Sequence, residues 1–200
     1  RVKQLSSMDQ YNLNEHLGKI QKDKLEAIEK EINNYKTIYG LIDYTDMLDK
    51  WLEPKGTAPQ FEVIFVDEAQ DLSLIQWSMI KKLEENYCND VWIAGDDDQA
   101  IFGWAGADVN SFINWKAKQI PLTESKRVPR SIQQKALDII ERVNTRLDKQ
   151  YLPKPEIGNI YQRFKLADID MTKGQWLILT RTKSLLKPIS AFLKRKGYFF

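Results

Sequence analysis

Two adjacent carboxylates follow an apolar run in the segment FEVIFVDEAQDLS, residues 61–73. Residues 63–66 have the pattern of a buried strand, and Asp67 and Glu68 come directly after it. Burial of an unpaired charge is costly, and a second carboxylate beside it adds like-charge repulsion. A cation or a positively charged partner at the strand end would offset both costs. The alternative is an ordinary strand end whose acid caps the next helix.

A second acidic segment, GDDDQ, follows a second apolar run, VWIA, at residues 91–94. The carboxyl ends of neighbouring parallel strands meet at one edge of a sheet, where ligands bind. Asp67 and Glu68 would therefore share a crevice with residues 96–99. Carboxylate oxygens suit Mg²⁺, which is commonly shared with nucleotide phosphates. The pattern indicates a magnesium–nucleotide site, with a solvated turn as the alternative for the three aspartates.

Phosphoryl transfer also needs a group that positions the attacking water and a cation that neutralises the developing charge. A glutamine such as Gln99 can report whether a γ-phosphate is present. Arg127, in LTESKRVPRSI, is the candidate cation. Arg130 lies close by, and a surface charge is the alternative for either arginine.

Helical and strand patterns alternate along the chain, which predicts βαβ units and a parallel sheet covered by helices on both faces. This is an α/β fold. Ser73 is the predicted N-cap of the helix that follows the first strand. The predicted helices cover residues 20–39, 41–51, about 73–86, about 130–148 and about 183–196, and the predicted strands cover 63–66, 91–94 and 176–180. Pro-rich connectors are predicted at EPKGTAPQ and LPKPEIG.

The composition is that of a globular chain, with 200 residues of which 42% are hydrophobic. This length suits one large domain or one domain plus part of another. The net charge of +2 gives no global basic field, so nucleic-acid binding must depend on a local patch. Residues 176–200 carry six basic residues and no acid, and a solvated helix face is the simpler interpretation of them.

Cys88 and His16 are the only cysteine and histidine in the sequence, which excludes an internal disulfide framework and multi-cysteine zinc sites. No apolar run approaches the length of a membrane span. These features favour a reducing, cytoplasmic location without a membrane partner. The chain opens on Arg1, so we expect it to be a piece of a longer protein.

Three segments, VDEAQDLS, AGDDDQAIFGWAGA and LTESKRVPRSI, resemble motifs II, III and IV of superfamily 1 DNA helicases of the UvrD/Rep type, in that order. YTDML resembles a helical segment ahead of motif II, and residues 176–200 resemble the early part of the second RecA-like domain. The resemblance implies a RecA-like P-loop NTPase architecture in three parts. The first part is an N-terminal helical segment (1–55), which is either the end of an inserted helical subdomain or part of the first motor domain. The second is the back half of the first RecA-like domain (56–120), and the third is the start of the second RecA-like domain (121–200).

The resemblance also implies roles for four residues. Asp67 would hold Mg²⁺ and ATP, and Glu68 would be the base that orients or activates the hydrolytic water. Gln99 would contact the γ-phosphate region and couple it to DNA binding. Arg127 would reach the γ-phosphate from the second motor domain as an arginine finger.

Phe102 and Trp104 lie where the family places aromatics that stack on bases of single-stranded DNA, a sequence-tolerant mode of binding. Without the motif, core packing is the alternative for both. Two departures from the pattern occur nearby: Ala105 stands where many relatives have an arginine, and SKRVPR stands where they commonly read Asn-Tyr-Arg-Ser.

The sequence contains no GxxxxGK[ST] phosphate loop, and the later family motifs, including a second arginine, are missing from it. We therefore expect the fragment to be inactive alone, within an ATP-dependent DNA helicase and translocase. The resemblance implies 3′→5′ travel and action on single-stranded DNA and duplex junctions, with unidentified accessory proteins. The alternatives are a DNA-binding adaptor derived from a decayed motor and the helicase arm of a helicase–nuclease.

Overall fold

A computed structural model describes residues 22–162 and 165–200. His16 and the first part of the predicted segment 1–55 lie outside the described residues. The chain divides into two compact units. The first contains the described residues up to Glu124 together with Leu137–Leu152, and the second contains Ser125–Ala136 and the described residues of Pro153–Phe200. The three-part division expected from the sequence stays a prediction.

Two helices open the described chain, α1 (Lys22–Tyr39) and α2 (Tyr44–Leu52), and both were predicted from their apolar spacing. The second begins three residues later than predicted because Asp43 caps it. The Asp43 carboxylate accepts the Asp46 N–H and the Asp46 carboxylate accepts the Asp43 N–H, each at 2.9 Å. This reciprocal capping box satisfies backbone donors that a helix start would otherwise leave unpaired.

A βαβ unit follows and confirms the predicted α/β fold. Strand β1 (Phe61–Val66) leads into helix α3 (Leu74–Tyr87), which returns the chain to strand β2 (Cys88–Ile93). The two strands pair in parallel, with Val66 opposite Ile93. Ser73 precedes α3 as predicted, and the Gln76 side-chain oxygen accepts its backbone N–H at 2.8 Å.

The core of the first unit lies along α3. Trp77 and Ile80 are buried there, and the Trp77 ring lies 5.3 Å from that of Trp115. By contrast, Phe65 and Trp92 on neighbouring strands of the sheet are 77% and 54% exposed. The apolar character of β1 and β2 therefore predicted the strands correctly but overstated their burial.

The short helix α4 (Val109–Ile113) closes the segment that follows β2. The Asp108 carboxylate caps it by accepting the Ser111 N–H at 3.2 Å. The Asp108 N–H in turn donates to the Leu72 carbonyl at 2.8 Å, next to a bridge between Ser73 and Ala107. These contacts fasten the chain after β2 to the start of α3.

A second two-stranded sheet joins β3 (Glu124–Pro129) to β4 (Leu152–Lys154). The sequence analysis predicted neither strand, and the Pro-rich loop expected at LPKPEIG instead begins with β4. The segment ESKRVP has no apolar run, so only backbone pairing with a partner distant in sequence makes it a strand.

Helix α5 (Arg130–Ile140) ends eight residues before the predicted end at 148, so the predicted extension was wrong. Its last turn tightens, because Arg142 and Val143 donate to carbonyls only three residues back, at 3.2 and 2.9 Å. Beyond that turn, backbone and side-chain groups bond to acids elsewhere in the first unit instead of extending the helix.

Helix α6 (Lys183–Arg195) confirms the last predicted helix. The strand predicted at 176–180 does not form, and Leu177 and Leu179 are 82% and 80% exposed. A strand needs a neighbour for its backbone groups, and none of the strands within residues 22–162 and 165–200 pairs with this segment. Over the same ranges, no helix has both the length and the apolar character that a membrane crossing demands.

Candidate active site

The carboxyl ends of β1 and β2 lie side by side, as expected for a parallel pair. The Ala94 N–H donates to the Val66 carbonyl at 2.8 Å, and the Ala69 N–H donates to the Ala94 carbonyl at 3.0 Å. These bonds extend the ladder beyond both strands. They bring the residues after Val66 next to those after Ala94.

Glu68 has an unusual backbone conformation at this edge. Its φ of 51° and ψ of 40° lie in the left-handed region, and it is the only non-glycine residue with positive φ in the described ranges. Such a conformation costs free energy and persists only where the surroundings enforce it. Asp67 and Glu68 are exposed, and the Asp67 carboxylate accepts the Glu68 N–H at 2.9 Å.

Gln70 is the residue that links the two strand ends, and it is only 1% exposed. Its side-chain amide donates to Glu68 Oε2 at 2.7 Å, and its oxygen accepts the Asp96 N–H at 3.0 Å. Both polar ends of the buried amide are therefore satisfied, as burial requires. The sequence analysis missed Gln70, although its place within DEAQD was the available signal.

The acidic turn, Asp96–Asp98, is bound by basic side chains of the same unit. Arg146 makes two parallel 2.8 Å hydrogen bonds to Asp98, and Lys149 contacts both Asp96 and Asp97. Asp97 is buried, so a solvated turn, the alternative left open by the sequence, is wrong for it. The sequence analysis also missed Arg146 and Lys149.

The ion pairs with Arg146 and Lys149 reduce the capacity of the acidic turn to bind a metal cation. No group of three or more potential metal ligands lies together within residues 22–162 and 165–200. The three aspartates do not form such a group with Asp67 and Glu68, and Arg146 and Lys149 bind at least one oxygen of each aspartate. Among the acids at this edge, the exposed Asp67 and Glu68 are those left facing solvent.

Charge and burial oppose each other at Asp96. Burial alone would raise its pKa, but hydrogen bonds from Lys149 and Gln99 and the charge of Lys149 outweigh it, and the pKa lies below its ordinary value. Burial would likewise lower the pKa of Lys149, but its bonds to Asp96 and Asp97 raise it instead. Burial, followed by the negative charge of Asp96, raises the pKa of Tyr151.

Gln99 ends the short 3-10 turn Asp97–Gln99, and its exposed side chain donates to Asp96 Oδ2 at 2.7 Å. Hydrogen bonds therefore connect Glu68 to Gln70, Gln70 to the Asp96 backbone, and the Asp96 carboxylate to Gln99. Two residues singled out from the sequence, Glu68 and Gln99, are brought into one network. The link between them is a buried amide, a backbone N–H and the side chain of the same aspartate.

Phe102 and Trp104 lie just beyond this network, at the 3-10 turn Gly103–Ala105. They are 42% and 65% exposed, and their ring centroids lie 6.3 Å apart. This exposure does not fit the alternative of core aromatics. Ala105 is exposed as well.

Arg127 lies on β3 in the second unit, with its side chain exposed. Its backbone N–H donates to Ser125 Oγ at 3.3 Å, and the Val128 N–H donates to the same oxygen at 3.0 Å. Arg130 begins α5 and is exposed too. The part of Arg127 in nucleotide chemistry stays a prediction.

A parallel βαβ unit with acids at adjoining strand ends is the arrangement of a RecA-like α/β domain. The family model described as the UvrD/REP helicase N-terminal domain matches residues 2–120, more than half of the chain. The chain belongs to this family.

Several curated relatives are similar to the chain. DNA helicase II of Haemophilus influenzae is 33% identical over 144 residues, which are 64% of this chain and 20% of that protein. DNA helicase II of Escherichia coli is 36% identical over 124 residues, covering 56% and 17%. ATP-dependent DNA helicase PcrA of Bacillus subtilis is 28% identical over 123 residues, covering 59% and 16%. The chain thus spans a fifth or less of the length of these relatives.

Gly95 is expected to be intolerant of a side chain because it lies against Gln70. A Cβ at Gly95 would lie 2.6 Å from Gln70 Oε1 and 3.0 Å from the Phe112 ring. Gly95→Ala should destabilise the chain by about 1–3 kcal/mol through overpacking, measured by urea unfolding. The cost should shrink in a Gln70→Ala background, and an equal cost in both backgrounds would contradict the proposed clash.

The acidic turn should make stability depend on pH on the acid side. Because the folded pKa of Asp96 is lowered, its contribution is full above the ordinary value of 3.8 and is lost as the pH falls through the folded pKa. Between about pH 6 and pH 3, wild type should therefore lose more free energy of unfolding than Asp96→Asn. Urea unfolding at a series of pH values checks this, and parallel curves for the two proteins would refute it.

Proposed function

We propose that this chain is part of the motor of an ATP-dependent DNA helicase that translocates 3′→5′ along one strand. The observation that carries the proposal is the network Glu68–Gln70–Asp96–Gln99, which joins two acidic strand ends in a member of the UvrD/REP family. The names of the relatives, DNA helicase II and ATP-dependent DNA helicase PcrA, support it. A cytoplasmic location and inactivity of this fragment alone belong to the same proposal.

The exposed oxygens of Asp67 and Glu68 fit a hard cation, because Mg²⁺ takes oxygen ligands and keeps several waters. Asp67 would hold Mg²⁺ with ATP, and the bound ion would neutralise phosphate charge during transfer. Glu68 would orient the attacking water and accept its proton. The hydrogen bond from Gln70 holds one oxygen of Glu68, which restricts the direction in which the other points.

Gln99 and Arg127 would complete the hydrolytic machinery. Gln99 is exposed, and its amide nitrogen bonds to Asp96, so its side-chain oxygen would contact the γ-phosphate region through water or a bound cation. Arg127 would supply positive charge to the transferred phosphoryl group from the second motor domain.

Single-stranded DNA and duplex junctions are the proposed nucleic-acid partners. The exposed rings of Phe102 and Trp104 would stack on bases, since every base offers a π face. Both lie within five residues of Gln99, so nucleotide and DNA contacts share one short segment. This proximity in the chain supports coupling between hydrolysis and DNA binding.

The decisive test is ATP hydrolysis by the complete native protein, with and without single-stranded DNA, beside its Glu68→Gln variant. Single-stranded DNA should stimulate wild-type turnover. Glu68→Gln should lower kcat by about 100-fold or more, because the amide cannot accept the proton of water. DNA affinity, measured by fluorescence anisotropy, should be unchanged in the variant.

A folded parent that binds DNA but shows no turnover would overturn the proposal. That outcome would favour the adaptor derived from a decayed motor. Turnover that DNA does not stimulate would instead argue against a translocase while leaving nucleotide hydrolysis in place.

Trp104→Ala in the complete protein should weaken single-stranded DNA binding by about 1–3 kcal/mol, whatever the base sequence. Trp92→Ala is the matched control for loss of an indole, because Trp92 lies on β2 beside Phe65 and away from the 3-10 turn Gly103–Ala105. Anisotropy titrations with dT and mixed-sequence oligonucleotides measure both variants. Equal losses for Trp92→Ala and Trp104→Ala would rule out a specific stacking role.

A further inference from the structure

The cationic segment, Arg146–Tyr151, binds the acidic turn more extensively than an ordinary surface ion pair. Arg146 pairs in bidentate fashion with Asp98, and the Leu147 N–H donates to Asp97 Oδ2 at 2.7 Å. Lys149 bonds to Asp96 and Asp97, and the Tyr151 hydroxyl lies 3.3 Å from Asp96 Oδ1. Both backbone and side-chain groups of the cationic segment thus bind it to the acidic turn.

These charges are largely removed from water. The side chains of Arg146 and Lys149 are 16% and 12% exposed, and those of Asp97 and Asp98 are 1% and 13% exposed. Loss of one partner from such a group leaves the other charge uncompensated, whereas loss of an exposed pair costs little. The cluster therefore constrains the turn strongly.

The two oxygens of Asp96 have different partners. Oδ1 accepts from Lys149 and, at 3.2 Å, from the Asp98 N–H, with the Tyr151 hydroxyl 3.3 Å away, while Oδ2 accepts the Gln99 amide at 2.7 Å. Lys149 is the only charged donor to the carboxylate among these contacts. Without the ammonium group, Oδ1 would keep two longer contacts to neutral groups, so the carboxylate that holds the Gln99 side chain would be less firmly fixed.

Charge balance points in the same direction. The acidic turn carries three negative charges, and Arg146 and Lys149, which contact it, supply two positive charges. Asp148 lies between these two cations, so the segment and the turn together carry a charge of −2 instead of the −3 of the turn alone. Without its cations, the turn would repel both the neighbouring Glu68 and any polyphosphate at the strand ends more strongly.

We propose that Lys149 and Arg146 are positioning residues for ATP hydrolysis, with Lys149 acting through Asp96 on Gln99 and Arg146 fixing the turn through Asp98. This inference rests on the proposed function. Neither residue needs to touch the nucleotide in this role. Both should govern how fast bound ATP is hydrolysed more than how tightly it binds.

The test uses steady-state ATP hydrolysis by the complete native protein at saturating single-stranded DNA. Lys149→Met should lower kcat by about 10–100-fold, as expected for a misplaced catalytic group, with KM for ATP changed less than about threefold. Lys149→Arg should recover part of the loss because it keeps the charge. Lys81→Met is the matched control and should leave kcat unchanged, since Lys81 is 67% exposed and forms a surface ion pair with Glu85 on the same helix.

A double-mutant cycle separates positioning from mere stabilisation. If Lys149 acts through Gln99, Lys149→Met should reduce kcat little further in a Gln99→Ala background. An equal reduction in both backgrounds would overturn the inference. If Lys149→Met does not fold, as judged by its Tm, Arg146→Lys serves instead, because it keeps the charge but loses the bidentate geometry.

The two proposals fail in different ways. Absence of DNA-stimulated hydrolysis in the parent would defeat the proposed function. An active parent whose kcat survives both Lys149→Met and Arg146→Lys would defeat only the positioning role.

Discussion

The buried amide of Gln70 is the interaction on which the candidate site depends. A single side chain donates to Glu68 and accepts from the backbone of Asp96, so two strand ends that are neighbours in the sheet become one unit. The absence of a side chain at Gly95 leaves room for this amide, and Glu68, to which the amide donates, has a left-handed backbone conformation. A buried amide with both ends satisfied has little freedom to move, which is what a precisely oriented carboxylate needs.

Around that link, opposite charges divide the acids into two kinds. Asp67 and Glu68 are exposed, and no salt bridge within the described residues involves them. Asp96–Asp98, by contrast, form salt bridges with Arg146 and Lys149. Asp67 and Glu68 are therefore suited to binding a ligand, whereas Asp96–Asp98 are suited to holding the turn in place. A run of three aspartates in a sequence does not distinguish these uses, because the distinction depends on partners some fifty residues away.

Apolar spacing and residue type in the sequence predicted most of the elements that depend on interactions between residues close in the chain. The helices α1, α3 and α6 and the strands β1 and β2 follow from apolar spacing, and Ser73 was recognised as a cap from its residue type. Most failures are non-local: β3 and β4 exist through pairing, α5 stops where the chain turns to bind the acidic turn, and residues 176–180 lack a neighbouring strand. The start of α2 is a local failure, because the capping box at Asp43 was missed. At the site, motif order identified Glu68 and Gln99, while Gln70, Arg146 and Lys149 required the three-dimensional contacts.

The separation along the chain between the acidic turn and its cations also sets an order of events during synthesis. The βαβ unit can form once β2 has left the ribosome, but Asp97 would then be a buried charge without its ammonium partner. Lys149 follows 52 residues later, which takes roughly 3–10 s at elongation rates of about 5–20 residues per second. If the βαβ unit forms in that interval, the carboxylate of Asp97 must stay hydrated until Lys149 arrives, so the acidic turn closes after β1 and β2 have paired.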